Sequence, residues 1–330
     1  MPVRFGTLPD GQPVERIGIE GGGLRAAVLT YGAILQDLRL DGHAPPLVLG
    51  FERIEHYLDH SVFFGAVVGR YANRIANGRY SIDGRDYQAD RNDRGHTLHG
   101  GRAGIDRQNW TLAAHSADFV TLALADPADT SGFPGNLSIT CTYRLQDGEL
   151  RVEFAARTDA PTLCNLAHHS WFNLDDGGSG DIGDHVLAID AERYLPVDGT
   201  GIPTGEVRSV EDTPFDSRHP RQIGRAALYD HNFCLAGSRR ALTRAARLEG
   251  ARSGIAMEVW TTEPGLQFFS GDIAPRSVPG LGGRRYGRRA GLCLEPQIWP
   301  DAPNHPHFPQ ALLRPGETYR QVSSFRFSRS

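Results

Sequence analysis

Two adjacent histidines in the segment NLAHHSWFNL, residues 165–174, are the first residues whose types suggest chemistry. An imidazole changes its charge near neutral pH, so His168 or His169 could donate a proton, bind a metal ion or simply fill a core strand. Successive side chains of a strand point to opposite faces of a sheet. The doublet can therefore place only one ring in a given site unless the strand ends or bulges there, which weakens the metal interpretation.

A second histidine pair occurs in HTLH, residues 96–99, with the spacing i, i+3. His96 and His99 lie beside glycines, and no helix carrying a carboxylate follows them, unlike in a zinc-hydrolase motif. We therefore expect no metal ion and no other cofactor. Any one of the 13 histidines, taken alone, is more often structural than catalytic.

The elements that must position these residues are strands, because alternation with period two is the clearest pattern in the chain. In LSITCTYRL, residues 137–145, apolar side chains alternate with polar ones, and LRVEFAA resumes the alternation from Leu150. Between them, Asp147-Gly148 can adopt the positive φ angles of a tight turn. These residues predict an antiparallel hairpin.

The hairpin signal recurs around Asp83-Gly84, and Glu263-Pro264-Gly265 separates two further apolar runs. Residues 120–124 and 323–327 also have strand composition. Helical patterns are limited to residues 51–58 and 239–250, and the second of these could instead form a strand.

The fold class that these elements indicate is all-β, with antiparallel strands in a sandwich or a barrel. No block of Ser, Pro or charge interrupts the pattern as a linker would, and no repeat of fixed period occurs. We therefore predict a single domain over residues 1–330.

The charge balance, 35 basic against 39 acidic side chains, does not favour nucleic acid or an anionic membrane surface as a partner. The longest apolar run, residues 62–69, is too short to span a membrane, and the first residues resemble no signal segment. Four widely spaced cysteines form no metal or redox motif. We expect reduced core cysteines, a cytoplasmic location, and a monomer or homodimer that binds a small neutral molecule.

Four arginines lie close together in GGRRYGRR, residues 282–289. Such a cluster could contact phosphate or RNA. Glycine-broken runs of charge are usually solvated loops, and that is our prediction here.

Several polar segments are longer and more unusual than a core requires: YANRIANGRY, HTLHGG, NLAHHSWFNL, YDHNFCL and CLEPQIWPDAPNH. Together with FGTLPDGQPVERI near the start, EVWTTEPGLQFFSGD at 258–272 and FPQALLRPGETY at 308–319, they resemble the aldose 1-epimerases, also called galactose mutarotases. The resemblance extends over the whole chain.

This resemblance implies a large antiparallel β-sandwich, the galactose mutarotase-like supersandwich, with an open sugar cleft. By position in the motifs, His169 matches the general acid of the family and Glu295 its general base. The sugar-hydroxyl contacts of the family match Asn73, Arg74, His99, Asp230 and Gln267. The resemblance also favours a strand over a helix for residues 239–250.

The chemistry of these residue types agrees with the implied roles. Interconverting the α and β anomers of a free sugar needs a proton donated to the ring oxygen and a proton removed from the anomeric hydroxyl. Histidine and glutamate can supply both without a metal ion or nucleotide. Trp171 and Trp299 follow the two residues closely in sequence and could wall a cleft against the apolar face of a sugar, although a core role is equally open.

The chain departs from the usual family pattern at Tyr71, His168 and Trp171, so the sugar remains open among galactose, glucose, xylose and arabinose. Tyr71 and Trp171 could narrow the cleft. Three alternative functions also remain: a hexose-phosphate epimerase using the arginines of 282–289, a non-catalytic sugar-binding module, and a glycoside hydrolase using Glu295 and Asp230 as its two carboxylates.

Overall fold

The structure is a computed structural model, and it describes residues 2–329. Its first third contains nine strands and the one α-helix of the described residues, Ile54–His60 (α1). The strands are β1 (Val3–Thr7), β2 (Pro13–Gly21), β3 (Leu24–Leu29), β4 (Leu35–Leu40), β5 (Ala66–Val68), β6 (Arg74–Ile75), β7 (Arg79–Ile82), β8 (Arg85–Gln88) and β9 (Thr97–Leu98).

The middle of the chain adds ten strands. They are β10 (Thr111–His115), β11 (Phe119–Asp126), β12 (Leu137–Gln146), β13 (Glu149–Thr158), β14 (Thr162–Leu163), β15 (Ala167–His169), β16 (Trp171–Phe172), β17 (Val186–Ile189), β18 (Arg193–Tyr194) and β19 (Arg208–Ser209).

The last part of the chain contributes the remaining strands of the described residues. They are β20 (Arg221–Gln222), β21 (Asp230–Cys234), β22 (Thr243–Glu249), β23 (Ile255–Thr261), β24 (Gly265–Phe269), β25 (Leu292–Gln297), β26 (Leu312–Leu313) and β27 (Tyr319–Arg329). Short 3-10 helices cover Ala76–Gly78, Ile105–Arg107, Thr130–Gly132, Leu281–Gly283 and Ala302–Asn304.

Antiparallel pairing organises these strands into two large sheets and several small ones, so the predicted all-β fold is confirmed. A nine-stranded sheet has the order β10-β11-β12-β13-β27-β23-β22-β17-β20, and a six-stranded sheet has the order β16-β25-β24-β21-β18-β19. A four-stranded sheet, β1 to β4, stands beside them. Buried apolar side chains from all three sheets share one hydrophobic cluster, which lies between the layers.

The hairpin predicted around Asp147-Gly148 joins β12 to β13, and its register runs from Leu137 opposite Thr158 to Gln146 opposite Glu149. The apolar positions of β12 are buried, as alternation requires. Asp147 and Gly148 have φ angles of 50° and 75°, the left-handed values that a two-residue hairpin turn needs. The turn at Asp83-Gly84 joins β7 to β8 in the same way.

The segment Glu263-Pro264-Gly265 separates two strands, but it does not close a hairpin between them. The strand before it, β23, belongs to the nine-stranded sheet, whereas β24 belongs to the six-stranded sheet. The Glu263 side chain is buried at this crossing and accepts a hydrogen bond of 2.8 Å from Nε of Arg239. The segment is therefore a crossover between the two layers.

The two helical patterns have different outcomes. The first yields helix α1, Ile54–His60. Residues 51–53 of the predicted segment 51–58 lie outside this helix. The second contains strand β22, Thr243–Glu249, which pairs with β23 on one edge and β17 on the other. Tertiary pairing thus overrides the local helical propensity of this segment.

The arginine-rich loop 282–289 is only partly solvated, which corrects the prediction for it. Tyr286 is 2% exposed and its hydroxyl donates to the carbonyl of Gly50 at 2.9 Å. Arg289 is buried and bonds to the carbonyl of Ala227, while Arg288 remains outside and pairs with Asp272. The tyrosine anchors this loop in the core.

The four cysteines carry no disulfide bond, and three of them are buried while Cys234 is partly exposed. Within residues 2–329, no helix is both long and apolar enough to cross a membrane.

Candidate active site

A cavity of about 300 Å³ collects most of the residues that the motifs single out. Seven of the nine predicted site residues line it: Asn73, Arg74, His99, His169, Trp171, Asp230 and Glu295. The other two, Gln267 and Trp299, do not. Residues from distant parts of the chain therefore meet at one concave site, the usual form of a small-molecule site.

His169 reaches this cavity from the end of the short strand β15, where it lies opposite Ala66 of β5. The preceding residue, His168, points to the other face, as alternation predicts. Its ring lies in the core against Tyr143 and Phe325, with Nδ1 at 3.3 Å from the Tyr143 hydroxyl. Only one ring of the doublet thus enters the cavity.

Glu295 lies on β25, opposite Gln267 of β24. Its Oε1 is 3.6 Å from Nε2 of His169, and both side chains are buried. The second carboxylate oxygen, Oε2, has no hydrogen-bond partner within the described residues. A buried acceptor without a partner is costly, so this oxygen is suited to receive a hydrogen bond from a ligand.

Burial has opposite effects on the two side chains. It lowers the pKa of His169 to about 4, although a backbone contact and Asp230 oppose the shift. It raises the pKa of Glu295 well above its usual value, and Asp230 adds to this while Arg74 opposes it. Burial thus favours the uncharged form of each side chain, and a proton shared by the two is held more readily by Glu295 than by His169.

The Nδ1 atom of His169 lies 3.4 Å from the Cys293 sulfur, and its ring packs among aromatic rings. Trp171 stacks on it with a centroid separation of 6.2 Å, and Phe63 lies at 5.5 Å. These contacts leave Nε2 as the ring atom beside Glu295. They also restrict the rotation of the ring.

His99 follows strand β9 with a φ of 52°, and its Nδ1 accepts the backbone N–H of Asn73 at 3.1 Å. A neutral imidazole whose Nδ1 accepts a hydrogen bond carries its proton on Nε2. Burial, together with the nearby charges of His169 and Arg74, lowers the pKa of His99 well below its usual value. This ring is therefore a neutral hydrogen-bond donor.

The same tautomer bears on metal binding, because ligand atoms of His99, His169 and Glu295 lie within 4.8 Å of one another. A metal-binding imidazole normally donates its other N–H to the protein, whereas Nδ1 of His99 accepts one. Nε2 of His99 then bears a hydrogen and offers no lone pair. Two ligands remain, fewer than the three that catalytic zinc sites usually have.

Two carboxylates hold the Arg74 side chain at the cavity. Its Nε donates to Oδ2 of Asp93 at 2.9 Å, and its Nη1 lies 3.6 Å from Oδ2 of Asp230. Asn73 supports this arrangement through its side-chain oxygen, which accepts the Arg74 backbone N–H at 2.8 Å. The face of the guanidinium lies against Gly201, where a Cβ would approach its atoms to 3.0–3.3 Å.

Gln267 is buried beneath the cavity and does not line it. Its Nε2 donates to Oδ1 of Asp230 at 2.7 Å. This contact orients Asp230, while Oε1 of Gln267 has no hydrogen-bond partner within the described residues.

Trp171 lines the cavity, and its Nε1 donates to the carbonyl of Val62 at 3.1 Å. Trp299 is not among the residues that line it, and its contacts are those of the core role. Its Nε1 donates to the carbonyl of Pro264 at 2.9 Å, and its ring packs against Phe308. Each indole N–H has found a buried partner, but only one ring is left beside the cavity.

Tyr71 does not narrow the cavity either. Its side chain is fully buried, and its hydroxyl donates to the carbonyl of Trp299 at 2.9 Å. The hydroxyl also accepts the backbone N–H of Ala302 at 3.0 Å. Tyr71 thus fixes the backbone that follows Glu295.

Six further residues line the cavity that sequence reasoning missed: Val62, Phe63, Asp93, Leu98, Phe269 and Ile273. Leu98 lies within the HTLH motif and Asp93 lies three residues before it, close enough for both to have been suspected. Phe63 has a φ of 62°, unusual for an aromatic residue, and its ring lies 4.6 Å from that of His99. No local pattern marks this conformation in the sequence.

A larger groove of about 610 Å³ lies on the outer face of the nine-stranded sheet. Its lining from β11, β12 and β13 is mostly small or apolar, and it contains no histidine or carboxylate. It lacks the groups that proton transfer requires, so volume alone does not identify the site.

Comparison with known proteins agrees with this geometry. The family model described as aldose 1-epimerase matches residues 15–326. The galactose mutarotases of Bos taurus and Homo sapiens are each 42% identical to this chain over 334 residues, covering 98% of this chain and 97% of each relative.

Among solved structures, a GalM/aldose epimerase homologue from C. elegans superposes with a TM-score of 0.90 at 33% identity. The superposition covers 96% of this chain and 99% of that one. The residues matched by the family model include every residue that lines the cavity. The chain belongs to the aldose 1-epimerase family.

Proposed function

We propose that this protein interconverts the α and β anomers of free aldoses, with Glu295 as the base and His169 as the acid. The observation that carries the proposal is the buried His169–Glu295 pair, separated by 3.6 Å beside a cavity of about 300 Å³. General acid and base groups must lie within reach of one bound substrate, and the closeness of these two side chains at one cavity supports that.

The reaction begins when Glu295 takes the proton of the anomeric hydroxyl while His169 gives a proton to the ring oxygen. The bond between C1 and the ring oxygen breaks, and an open-chain aldehyde forms. Rotation about the C1–C2 bond presents the opposite face of the carbonyl. The ring oxygen then attacks C1, and both protons return to their original holders.

For proton transfer in this direction, His169 must be protonated and Glu295 ionised before the reaction begins. Without substrate, burial favours the neutral form of the pair, since it lowers the pKa of His169 and raises that of Glu295. The ionic form, with His169 protonated and Glu295 ionised, contains the same number of protons as the neutral form. It therefore needs no further proton, only better solvation of its two charges. Hydroxyl groups of a bound sugar would supply that solvation, and Asp230 favours the cationic ring.

The remaining polar groups suit the recognition of hydroxyls. His99 presents an N–H donor, Arg74 a guanidinium, and Asp230 an acceptor held by Gln267. Trp171 and Phe63 provide apolar surface for the C–H groups of a sugar. The names of the mammalian relatives make galactose the first substrate to test. Glucose, xylose and arabinose complete the panel.

Polarimetry on freshly dissolved α-sugars tests the proposal directly. We expect the optical rotation to approach equilibrium faster with enzyme than without it for at least one aldose of the panel. A nitrophenyl glycoside distinguishes a hydrolase, because its cleavage releases a coloured product. Hydrolysis without mutarotation, or sugar binding without either activity, would contradict the proposal.

The phosphate-sugar alternative has less support. In the loop 282–289, Arg288 pairs with Asp272, and Arg289 bonds to backbone carbonyls. None of the arginines of that loop lines the cavity within the described residues.

We also propose that the chain is one domain, because one hydrophobic cluster contains side chains from Ile17 to Phe327. Its free cysteines suit a reducing compartment such as the cytoplasm. Size-exclusion chromatography would distinguish the monomer from the homodimer, and cell fractionation would test the location.

A further inference from the structure

We propose that Asp93 is a specificity-determining residue that makes the cavity select neutral sugars over sugars carrying a carboxylate or a phosphate. The inference rests on the proposed function and names the substrate class of the same site. No motif of the sequence assigns a role to Asp93, which becomes conspicuous only through its position beside Arg74.

Asp93 contacts Arg74 directly. Asp93 lines the cavity, and its Oδ2 accepts the hydrogen bond from Nε of Arg74 at 2.9 Å. The Asp93 side chain retains 24% exposure, whereas that of Arg74 retains 10%. The carboxylate is therefore the more open partner of the pair and is accessible to a bound molecule.

Backbone hydrogen bonds hold Asp93 in place. Its backbone N–H and carbonyl both pair with His96, at 3.1 and 2.7 Å, across a tight turn. Arg94 and Gly95 form the turn with φ angles of 48° and 87°. His96 in turn accepts the N–H of Asn77 and contacts the Thr200 hydroxyl at 3.0 Å. The carboxylate thus has a fixed place in the site.

The residues that line the cavity carry more carboxyl groups than arginine or lysine side chains. Of the described residues that line it, Arg74 is the only arginine or lysine, and three others carry carboxyl groups: Asp93, Asp230 and Glu295. Arg74 already faces two of these, Asp93 and Asp230. An arginine engaged by two carboxylates donates hydrogen bonds to hydroxyls but has little net attraction left for an anion.

The consequence is a cavity that repels negative charge. A monosaccharide fills much of a cavity of about 300 Å³, so an anionic substituent that is held inside it lies near Asp93, which is part of its lining. Charges this close and partly buried are screened little by salt. Juxtaposed like charges disfavour the wrong ligand more strongly than they weaken the right one.

The test compares galactose with galacturonate, two sugars of the same stereochemistry that differ in charge. The value of kcat/KM is measured for both by polarimetry, with wild-type protein and with Asp93→Asn. Asparagine can still accept the hydrogen bond of Arg74 through its amide oxygen but has no charge. We expect the ratio of kcat/KM for galacturonate to that for galactose to rise roughly tenfold.

Two matched variants complete the test. Asp86→Asn removes the same charge from an exposed position of β8 and should leave the ratio unchanged. Asp93→Glu keeps the charge and should preserve discrimination against galacturonate. If Asp93→Asn does not fold, Asp93→Ser removes the same charge and replaces it in the comparison.

An unchanged ratio in a folded Asp93→Asn or Asp93→Ser would overturn the inference, as would an equal rise in Asp86→Asn. Wild-type protein that uses galacturonate as readily as galactose would overturn it too. In each of these outcomes the wild-type protein still accelerates the mutarotation of galactose. If the proposed function itself were wrong, the wild-type protein would accelerate the mutarotation of no neutral aldose.

Discussion

At the scale of single residues, the environment of each side chain decides what chemistry it can perform. His168 and His169 have the same type and adjacent positions, yet one ring contacts Tyr143 and Phe325 while the other lies beside Glu295. A strand directs them to opposite faces. The core histidine therefore contributes to stability, whereas the cavity histidine is available for proton transfer.

The first prediction concerns the proposed acid and base. Glu295→Gln preserves shape but cannot accept a proton, and His169→Asn cannot donate one usefully. Each should lower kcat by roughly 10²–10⁴, or about 3–5 kcal/mol of barrier, with the fold retained in circular dichroism. The double variant should lose less than the sum of both free energies, because residues that act as a unit are not additive.

His168→Asn is the control for this series, and we expect its kcat to stay within roughly tenfold of wild type. An inactive His168→Asn together with an active His169→Asn would show that the wrong histidine has been assigned as the acid.

The second prediction concerns stability and pH. Burial lowers the pKa of His168 to about 3, below the ~6.5 of an unfolded chain. The unfolded state therefore binds more protons as the pH falls below ~6.5, so the stabilising contribution of the neutral ring is complete above that value and decreases toward pH 3. As the pH falls through this range, each buried histidine of this kind lowers the free energy of unfolding by up to ~1.4 kcal/mol per pH unit.

Urea denaturation of wild type and His168→Asn at several pH values between 5 and 7.5 measures this slope. The variant should show a smaller loss of unfolding free energy on acidification than the wild type. His115→Asn, at an exposed position of β10, serves as the control. Equal slopes for wild type and His168→Asn would mean that His168 titrates normally in the folded protein.

At the scale of elements, short strands and turns bring the site residues into place. Three of the site residues or their neighbours have left-handed backbone angles, Phe63, Asn73 and His99. Such angles are strained for residues other than glycine and persist only when the surroundings fix them. Loops beside the cavity therefore position side chains as firmly as the sheets do.

The third prediction concerns the turn at residues 198–202, in which Gly201 lies against Arg74. Gly201 has a φ of 87°, and a Cβ there would press on the guanidinium at 3.0 Å. Gly201→Ala should therefore displace Arg74 and raise KM for the preferred aldose roughly tenfold, with kcat changed less than about threefold, because only hydroxyl binding is affected.

Gly199→Ala, in the same turn, is the matched control. A Cβ on Gly199 would meet no atom of the described chain within 4 Å beyond its neighbours. Steady-state kinetics and a thermal melt are measured for both variants. A fall in kcat at unchanged KM for Gly201→Ala would rule out a role of the turn in positioning Arg74.

At the scale of the whole molecule, two large sheets and a four-stranded sheet enclose one core, and the cavity opens where short connecting strands meet. The outer groove on the nine-stranded sheet is larger, but no histidine or carboxylate is among the residues that line it. Function therefore lies where the chain concentrates polar groups, which is a property of the assembled fold.

The fourth prediction follows from the donor set of the assembled site. Because His99 presents an N–H and only two ligands remain, we expect mutarotase activity to be unchanged, within about twofold, after incubation with EDTA and dialysis. Metal analysis of the dialysed protein accompanies the assay. Loss of activity that added zinc restores would show instead that the three side chains hold a metal ion.

Local patterns in the sequence were enough to predict much of this molecule. Alternation along 137–145 placed β12 in the sheet, and Asp147-Gly148 specified its turn. Alternation also separated His168 from His169. These features depend on neighbours in sequence, whose relative geometry the backbone fixes. The motifs added the family and most of the residues that line the cavity.

Other features depended on tertiary structure, because they arise from contacts between segments that are distant in sequence. The 3.6 Å approach of His169 to Glu295 requires β15 and β25 to pack together. Contacts between distant segments likewise place Trp299 against Phe308 and Trp171 beside the cavity. Local sequence encodes which face a side chain takes, whereas only the assembled sheets decide what that face meets.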